Sequence, residues 1–595
     1  MSFGRRASAA IALVIYTGIA VALFSSTWIH PTTWSVGVGA DPQQVMWFLG
    51  WPPFAITHGQ NPIFTDYIDY PVGVNLMWNT SEPLPALVLG PLTHAGGPAL
   101  AYNVLVTAAV ALSAWSGFIL IRRYVSSQIA AGVGGALYGF SPLMTAQSLG
   151  HPHVTMAFMP PVLLLLLDEI ARVQRRPPLV SGLLLGLAAA VQLFIGEEVL
   201  ATTAIVGFLI LCLAVGICTD QIKPHVKPAL LGLVIAAVVF GVLVAVPVSF
   251  QFFGPQRPFG AIQPPNTFVS DAWSFFLPTK LFLLAPASAT AFADRFSGNA
   301  VETNSYIGVL LSLLLASTVV RYWRRLEVKL AALGSVLVAI LSMGTTIHIG
   351  GRTGSIPVFA LGLVFPLLQR YVPGRLMLYL TFFGWLALSR FPVLDHIIPS
   401  RLMLLFYLLA GLLVAVWLDE LNAWQPIQRR LGRLAVAASM VLLVPAVPFP
   451  STRQSVPAFF VGSAASRIPT GSVALVIPYS TGGDARAMVW QEWAGMRFRM
   501  PEGYAYNPNR DSQLSPPPSA TQHQILAVAA GRSDTMSDET RQQILSELKS
   551  WHVQTVVVGP MTNEQQEVDL FTALLGRAPQ TVDGVYVWWD VGALI

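Results

Sequence analysis

The sequence predicts a polytopic α-helical membrane protein of about 13 transmembrane helices with a C-terminal extracytoplasmic α/β domain. Three observations predict it. Hydrophobic residues make up 54% of the 595 and charged residues only 11%, more apolar surface than a water-soluble shell can hide. Apolar runs of near-spanning length, about 20 residues each, recur along the first three quarters of the chain. Residues 7–121 hold no Lys or Arg, although Asp41, Asp66, Asp69 and Glu82 fall among them; short non-cytoplasmic loops are the ones kept free of positive charge.

In order, the runs are 10–26, 101–121, 127–147, 154–170, 179–195, 199–217, 228–250, 306–320, 328–345, 356–369, 376–389, 402–418 and 433–449. The first follows Arg5 and Arg6 with no small-x-small cleavage site behind it, so it reads as an uncleaved span. Threading the runs puts Arg5/Arg6, Arg122/Arg123, Arg172/Arg175/Arg176, Lys223/Lys227, Arg321/Arg324/Arg325, Arg370/Arg375 and Arg429/Arg430 on one side. That side is cytoplasmic. The expectation is a multi-pass protein of the cell (plasma) membrane: N-terminus inside, a transmembrane domain over 1–450 with external loops 27–100 and 251–305, and 451–595 outside. The segments 356–369 and 376–389 are short enough to be two spans or a re-entrant pair, and 82–96 is a further candidate to dip into the bilayer.

The net charge is +5, but the positive residues cluster at the ends of apolar runs, which marks topology and excludes a nucleic-acid groove. Cys212 and Cys218 share one apolar run and are expected to pack as small apolar residues. In 451–595 polar residues return and patterns alternate. Strands are expected at 473–478, 553–558 and 586–591, helices at 485–493 and 538–551 with Ser537 as N-cap, and a loop at 510–519.

Asp41 follows Gly39-Ala40 and precedes Pro42-Gln43-Gln44 and a short stretch with Trp47 and Trp51. Such a helix suits the headgroup layer. It would hold the Asp41 carboxylate where a general base could act on an acceptor hydroxyl beside a lipid substrate; Asp is equally a favoured N-cap.

With a long external first loop opening on an acid, many further spans and an external C-terminal domain, the chain resembles the GT-C superfamily of integral membrane glycosyltransferases. The resemblance extends to Gly39-Ala40-Asp41-Pro42-Gln43-Gln44, to Asn61-Pro62 with Pro71-Val72-Gly73-Val74-Asn75-Leu76, and to Gly150-His151-Pro152-His153. It implies a polyprenyl-phosphate sugar donor, an inverting transfer to an envelope glycan, lipid or protein on the extracytoplasmic face, and Asp41 as the base. Many members pair acids in this loop; here Gln43 and Gln44 follow a single Asp41, leaving Gln44, Asp66, Asp69 and Glu82 as acceptor or pocket residues.

External cations are disfavoured by topology, so Arg257, Lys280, Arg295, Arg352, Arg390 and Arg401 each need a reason to be there. Pairing with the donor phosphate is one, and snorkelling to headgroups is the other. Arg401 is the first candidate for the phosphate, then Lys280 and Arg390, with His151 and His153 beside them. His151-Pro152-His153 could also bind a divalent metal, but no third ligand follows by spacing, so no cofactor is predicted. Glu197 and Glu198, adjacent between two spans, are pocket candidates. Ser480-Thr481-Gly482-Gly483-Asp484 has a strand-to-helix context that could receive an anion, and Trp490, Trp493, Tyr504, Tyr506, Trp588 and Trp589 are either sugar-stacking or core aromatics. Lysines occur only at 223, 227, 280, 329 and 549. That bias points to a GC-rich, actinobacterial source and to arabinofuranose or mannose as the sugar. The alternatives are a transporter or flippase of lipid-linked glycans, and a non-catalytic envelope assembly protein.

Overall fold

The computed structural model describes residues 3–219, 223–258, 260–391, 394–508, 516–532 and 536–595. The chain divides into two compact units. One comprises Met1–Ser26, Val106–Ala245 and Gly260–Phe449; the other comprises Thr27–Leu105, Val246–Phe259 and Pro450–Ile595. The expected division at residue 450 is therefore crossed by two segments, because the first loop folds with the C-terminal stretch. Strand Trp34–Val36 pairs antiparallel with Ser451–Arg453.

Among the described residues seven helices are long and apolar enough to cross a membrane: Arg6–Leu23, Pro98–Ile121, Pro152–Val173, Pro178–Ile195, Glu197–Ile217, Lys223–Phe253 and Pro399–Ala423. The other expected spans are helical but shorter. The run 127–147 is broken into Gln128–Gly139 and Pro142–Gln147, since Ser141 before Pro142 is extended and caps a new helix by accepting from Met144 N–H. Val309–Tyr322, Leu326–Ser342, Gly374–Arg390 and Pro426–Val441 run 14–17 residues. Val358–Leu368 is a 3-10 helix. At about 2 Å rise per residue, its 11 residues reach only about 22 Å. It follows the hairpin of Thr346–Ile349 and Arg352–Pro357 and packs against Gly374–Arg390.

The membrane unit is organised on Met403–Glu420, in which every residue from Met403 to Trp417 is buried. A helix apolar on all faces belongs in a core, and this one packs against Gln128–Gly139, Leu326–Ser342 and Val309–Tyr322. Its far end is polar for a reason: Asp419 accepts from the N–H groups of Ser126 and Ser127 at 2.9 and 2.8 Å, capping the approach to Gln128–Gly139. Where the two helices meet, a Cβ on Gly411 would lie 2.4 Å from the Gly134 carbonyl oxygen. Gly411→Val is expected to cost about 1–3 kcal/mol of stability, read as a lower melting temperature of the detergent-solubilised protein. Gly182 and Gly186 play the same part for Pro178–Ile195 and Val226–Phe253: a Cβ at either would meet the carbonyl of Gly232 or Ala236 at 2.5–2.6 Å.

The second unit carries a four-stranded sheet in the order Val473–Ile477, Val553–Val558, Val585–Trp589, Gln580–Val582. The first pair is parallel and the rest antiparallel. The expected strands and helices are present within a residue or two, with Ser537 accepting from Thr540 N–H as N-cap. Helices Ala520–Ala529 and Glu564–Leu575 were not anticipated, and residues 510–515 of the expected loop lie outside the described residues.

The first loop is built onto this sheet. Helix Asp41–Thr57 packs against Pro83–Gly96 and Arg486–Trp493. Trp47 and Trp51 stack with centroids 5.6 Å apart, are 0% and 1% exposed, and Trp47 donates to Gln491 Oε1 at 2.7 Å. This corrects the expected headgroup-layer helix: the two tryptophans are core residues of the unit. The motif residues 71–76 make a small hairpin, Phe64–Thr65 with Val74–Asn75. Gly73 turns it at φ +74°, where a Cβ would sit 2.6 Å from the Thr65 carbonyl oxygen.

Candidate functional site

Asp41 is the first residue of its helix, yet Ala40 occupies the N-cap position and no side chain caps the end. The carboxylate accepts from the Tyr504 hydroxyl at 2.9 Å, and Gln44, one turn along, donates to the Tyr504 carbonyl. Asn79 grips the next stretch of the same segment, donating to the Tyr506 carbonyl at 3.1 Å and accepting from its N–H at 2.7 Å. Glu82, 2% exposed, stands at φ +47° before helix Pro83–Gly96, and Tyr102 lies in the field of both Glu82 and Asp41. Burial, then the Asp41 charge, pushes the Tyr504 phenol well up, so Tyr504 stays a hydrogen-bond donor. The result is a half-buried carboxylate oriented by a tyrosine, with a second acid and tyrosine close by.

The other first-loop acids have different occupations. Asp66 pairs with Arg499 at 3.3 Å, whose guanidinium also covers Tyr67 and Tyr70. Asp69, at φ +51°, accepts from Asn507 at 3.3 Å; burial pushes its carboxyl up to about 7 against that bond. Fully buried Glu502 accepts from Val476 N–H at 2.9 Å, and burial raises it well above the carboxylate range, with Asp69 adding to the effect. Folding thus strengthens proton binding at both acids. From about pH 4 to about pH 7 the unfolded chain has released protons that the folded chain still holds, so stability falls as pH rises through that window. The protein should melt higher at about pH 5 than at about pH 7.5, and Glu502→Gln should flatten the dependence, as followed by thermal unfolding across pH.

In the membrane unit a second cluster forms around Arg401, which is 8% exposed. Its Nε donates to both oxygens of Glu302 at 3.2 and 3.1 Å, and its Nη2 to Glu302 at 2.5 Å. Its Nη1 pairs with Glu198 and stands 3.4 Å from His153 Nε2. Gln147 donates to Glu302 at 2.9 Å, and Glu198 accepts from Ile398 N–H at 2.8 Å. Burial would raise the Glu302 carboxyl, but Arg401 outweighs it and holds it below the usual range. His151 and His153 meet edge to face at 5.6 Å. Gly196, before Glu197 and Glu198, is required by close approach: a Cβ there would lie 2.5 Å from the His153 carbonyl oxygen. Lys280 and Arg390 are exposed, and neither is a partner of Arg401 among the described residues.

A family model, Domain of unknown function (DUF6311), matches residues 12–363. The chain belongs to that family. The DUF6311 stretch includes Asp41, His153, Glu198 and Glu302, while Arg401 and Tyr504 lie beyond it. No curated protein matches the chain. Among solved structures, this DUF6311 protein is similar to the archaeal oligosaccharyltransferase AglB from Archaeoglobus fulgidus in complex with an inhibitory peptide and a dolichol-phosphate (12% identity, TM-score 0.49, covering 97% of this chain and 72% of that one). It is also similar to the arabinofuranosyltransferase AftD from Mycobacteria (13%, 0.49, 98% and 40%) and to ArnT from Cupriavidus metallidurans bound to undecaprenyl phosphate (12%, 0.41, 98% of each). With scores below 0.5 these likenesses assign no activity to the DUF6311 chain.

Of the expected residues, the structure gathers Asp41, Gln44 and Glu82 in one unit and Arg401, His151, His153 and Glu198 in the other. Asp66 and Asp69 are held by Arg499 and Asn507. Arg401, expected to meet the donor phosphate, is engaged by two carboxylates, Glu198 and Glu302, which already offset its charge. Glu302 and Gln147 were missed. Glu302 sits in a polar stretch, Asn299 to Ser305, within the loop expected to be external; an acid there, in a segment with scarce cations, was the available signal. The strand-to-helix turn at 480–484 is closed by Asp484, which pairs with Arg486.

Proposed function

We propose that this protein is a GT-C-type membrane glycosyltransferase that moves one sugar from a polyprenyl-phosphate donor to a hydroxyl of an envelope glycan, lipid or protein on the extracytoplasmic face of the plasma membrane. The observation that carries the reading is the Tyr504–Asp41 pair: a half-buried carboxylate at a helix start, oriented by a tyrosine hydroxyl. In the proposed step Asp41 takes the acceptor proton as the acceptor oxygen bonds the anomeric carbon; the bond from that carbon to phosphate breaks, and the polyprenyl phosphate leaves with the electron pair and with inverted configuration at carbon. Tyr504 holds Asp41 in place. Lys280 and Arg390, both exposed, are the cations proposed to meet the donor phosphate, while Arg401 ties together His153, Glu198 and Glu302.

The first-loop motifs and their GT-C resemblance support this assignment, as does the absence of cations from residues 7–121. Arabinofuranose and mannose, and an actinobacterial envelope, are the sugar and setting proposed. Purified protein in detergent, given radiolabelled polyprenyl-phosphate arabinose or mannose and an acceptor glycan, should release polyprenyl phosphate and label the acceptor. Consumption of no polyprenyl-linked sugar would overturn the reading in favour of a flippase or assembly role.

A further inference from the structure

At the end of the membrane unit's helix pair Pro178–Ile195 and Val226–Phe253 there is a cleft of about 370 Å³, lined by Glu169, Arg175, Arg176, Pro178, Ser181 and Pro228 among others. How the chain builds it is legible locally. After Met159–Asp168 the helix widens into a single π turn, Glu169–Val173, and Gln174 reverses the backbone at φ +48°. Glu169 Oε1 then accepts from the N–H groups of Arg175 and Arg176 at 2.8 and 3.0 Å, and Gln174 ties the turn to the facing segment by donating to the His225 carbonyl at 2.8 Å. The Glu169 oxygen is spent on backbone amides, so both guanidinium groups stay in solvent, and neither pairs with a carboxylate among the described residues. One turn inside helix Pro178–Ile195, Ser181 is 2% exposed and its hydroxyl has no hydrogen-bond partner among the described residues.

A buried hydroxyl with no partner is destabilising unless something supplies one. A phosphate oxygen entering the cleft, whose lining includes Ser181, would supply one. Two arginines line the same space, and the helix begins there at Pro178 with its positive dipole end. Two guanidinium groups set against the one Glu169 carboxylate leave the lining net positive, which favours a bound anion. We infer that this cleft binds a phosphate group, presented either by an anionic lipid headgroup or by free phosphate. The site is separate from Asp41 and from Arg401, and it stands whether or not the proposed transfer is correct. Lys223 and Lys227 on the adjoining segment extend the positive field around it.

The test compares wild type, R175Q/R176Q, R175K/R176K and S181V in nanodiscs of phosphatidylglycerol or phosphatidylcholine. Retained lipid is measured by native mass spectrometry after detergent extraction, with a parallel thermal-shift titration using inorganic phosphate. Wild type should retain phosphatidylglycerol over phosphatidylcholine; R175Q/R176Q should lose about fivefold in retention for each arginine removed, S181V should also lose, and R175K/R176K should keep most of it. If the source is free phosphate, the thermal shift alone will distinguish wild type from R175Q/R176Q and S181V. Equal retention of phosphatidylglycerol by wild type, R175Q/R176Q and S181V, with no difference in their response to phosphate, would overturn the inference. The exposed arginines make R175Q/R176Q the variant whose folding is least at risk.

Discussion

Asp41→Asn is expected to lower sugar transfer by about 10²- to 10⁴-fold while leaving the melting temperature nearly unchanged. The substitution preserves shape and still accepts from the Tyr504 hydroxyl, which contacts Asp41 at 2.9 Å, but an amide cannot take a proton. Tyr504→Phe separates holding from chemistry. It removes the donor while leaving the acid, so the loss should be smaller, about tenfold, and should fall on kcat more than on KM if Tyr504 only fixes the carboxylate. Labelled acceptor formed per minute, with unfolding followed in parallel, reads both. Transfer by D41N at the wild-type rate would remove Asp41 from the mechanism and leave the Tyr504 contact as architecture.

Arg401→Met is expected to destabilise the protein by about 3–5 kcal/mol, because it leaves Glu198 and Glu302 in the interior without their shared counter-charge. The effect belongs to the unpaired acids more than to the lost attraction. Replacing all three together, R401M/E198Q/E302Q, should therefore recover much of that loss, since a buried ion pair exchanged for neutral side chains of similar volume is often close to neutral. Thermal unfolding in detergent decides the matter. A triple variant as unstable as R401M would show that the carboxylates are tolerated alone, and that the guanidinium matters for some other contact.

The two cases show what the sequence could and could not convey. Arg401 with His153 was visible because a cation and two histidines on the side kept poor in positive charge are conspicuous in a string of apolar residues. Glu302 was not, although it supplies more of the hydrogen bonds to Arg401 than Glu198 does. Nothing local distinguishes an acid in a polar loop from a solvated one; its partner lies 99 residues away. The same limit hid Tyr504. It read as one of several aromatics in the C-terminal stretch, and only the 463-residue contact with Asp41 gives it a task. Strands 473–477 and 553–558 were legible because β-branched runs carry their own signal. The Trp47–Trp51 helix misled for a related reason. Two tryptophans near an apolar run have the composition of a bilayer-edge anchor, and their burial comes from Pro83–Gly96, Tyr67 and Arg486–Trp493, which no local pattern reveals.

The pairing of Trp34–Val36 with Ser451–Arg453 bears on how the molecule is made. Ser35 and Thr452 are 417 residues apart. At roughly 5–20 residues per second a ribosome needs roughly 20–80 s to deliver the second strand after the first. During that interval the Asp41–Thr57 helix, with its stacked tryptophans, has no sheet to cover it. Chains that stall before residue 450 would therefore leave exposed the apolar face that Arg486–Trp493 and the sheet cover in the folded chain.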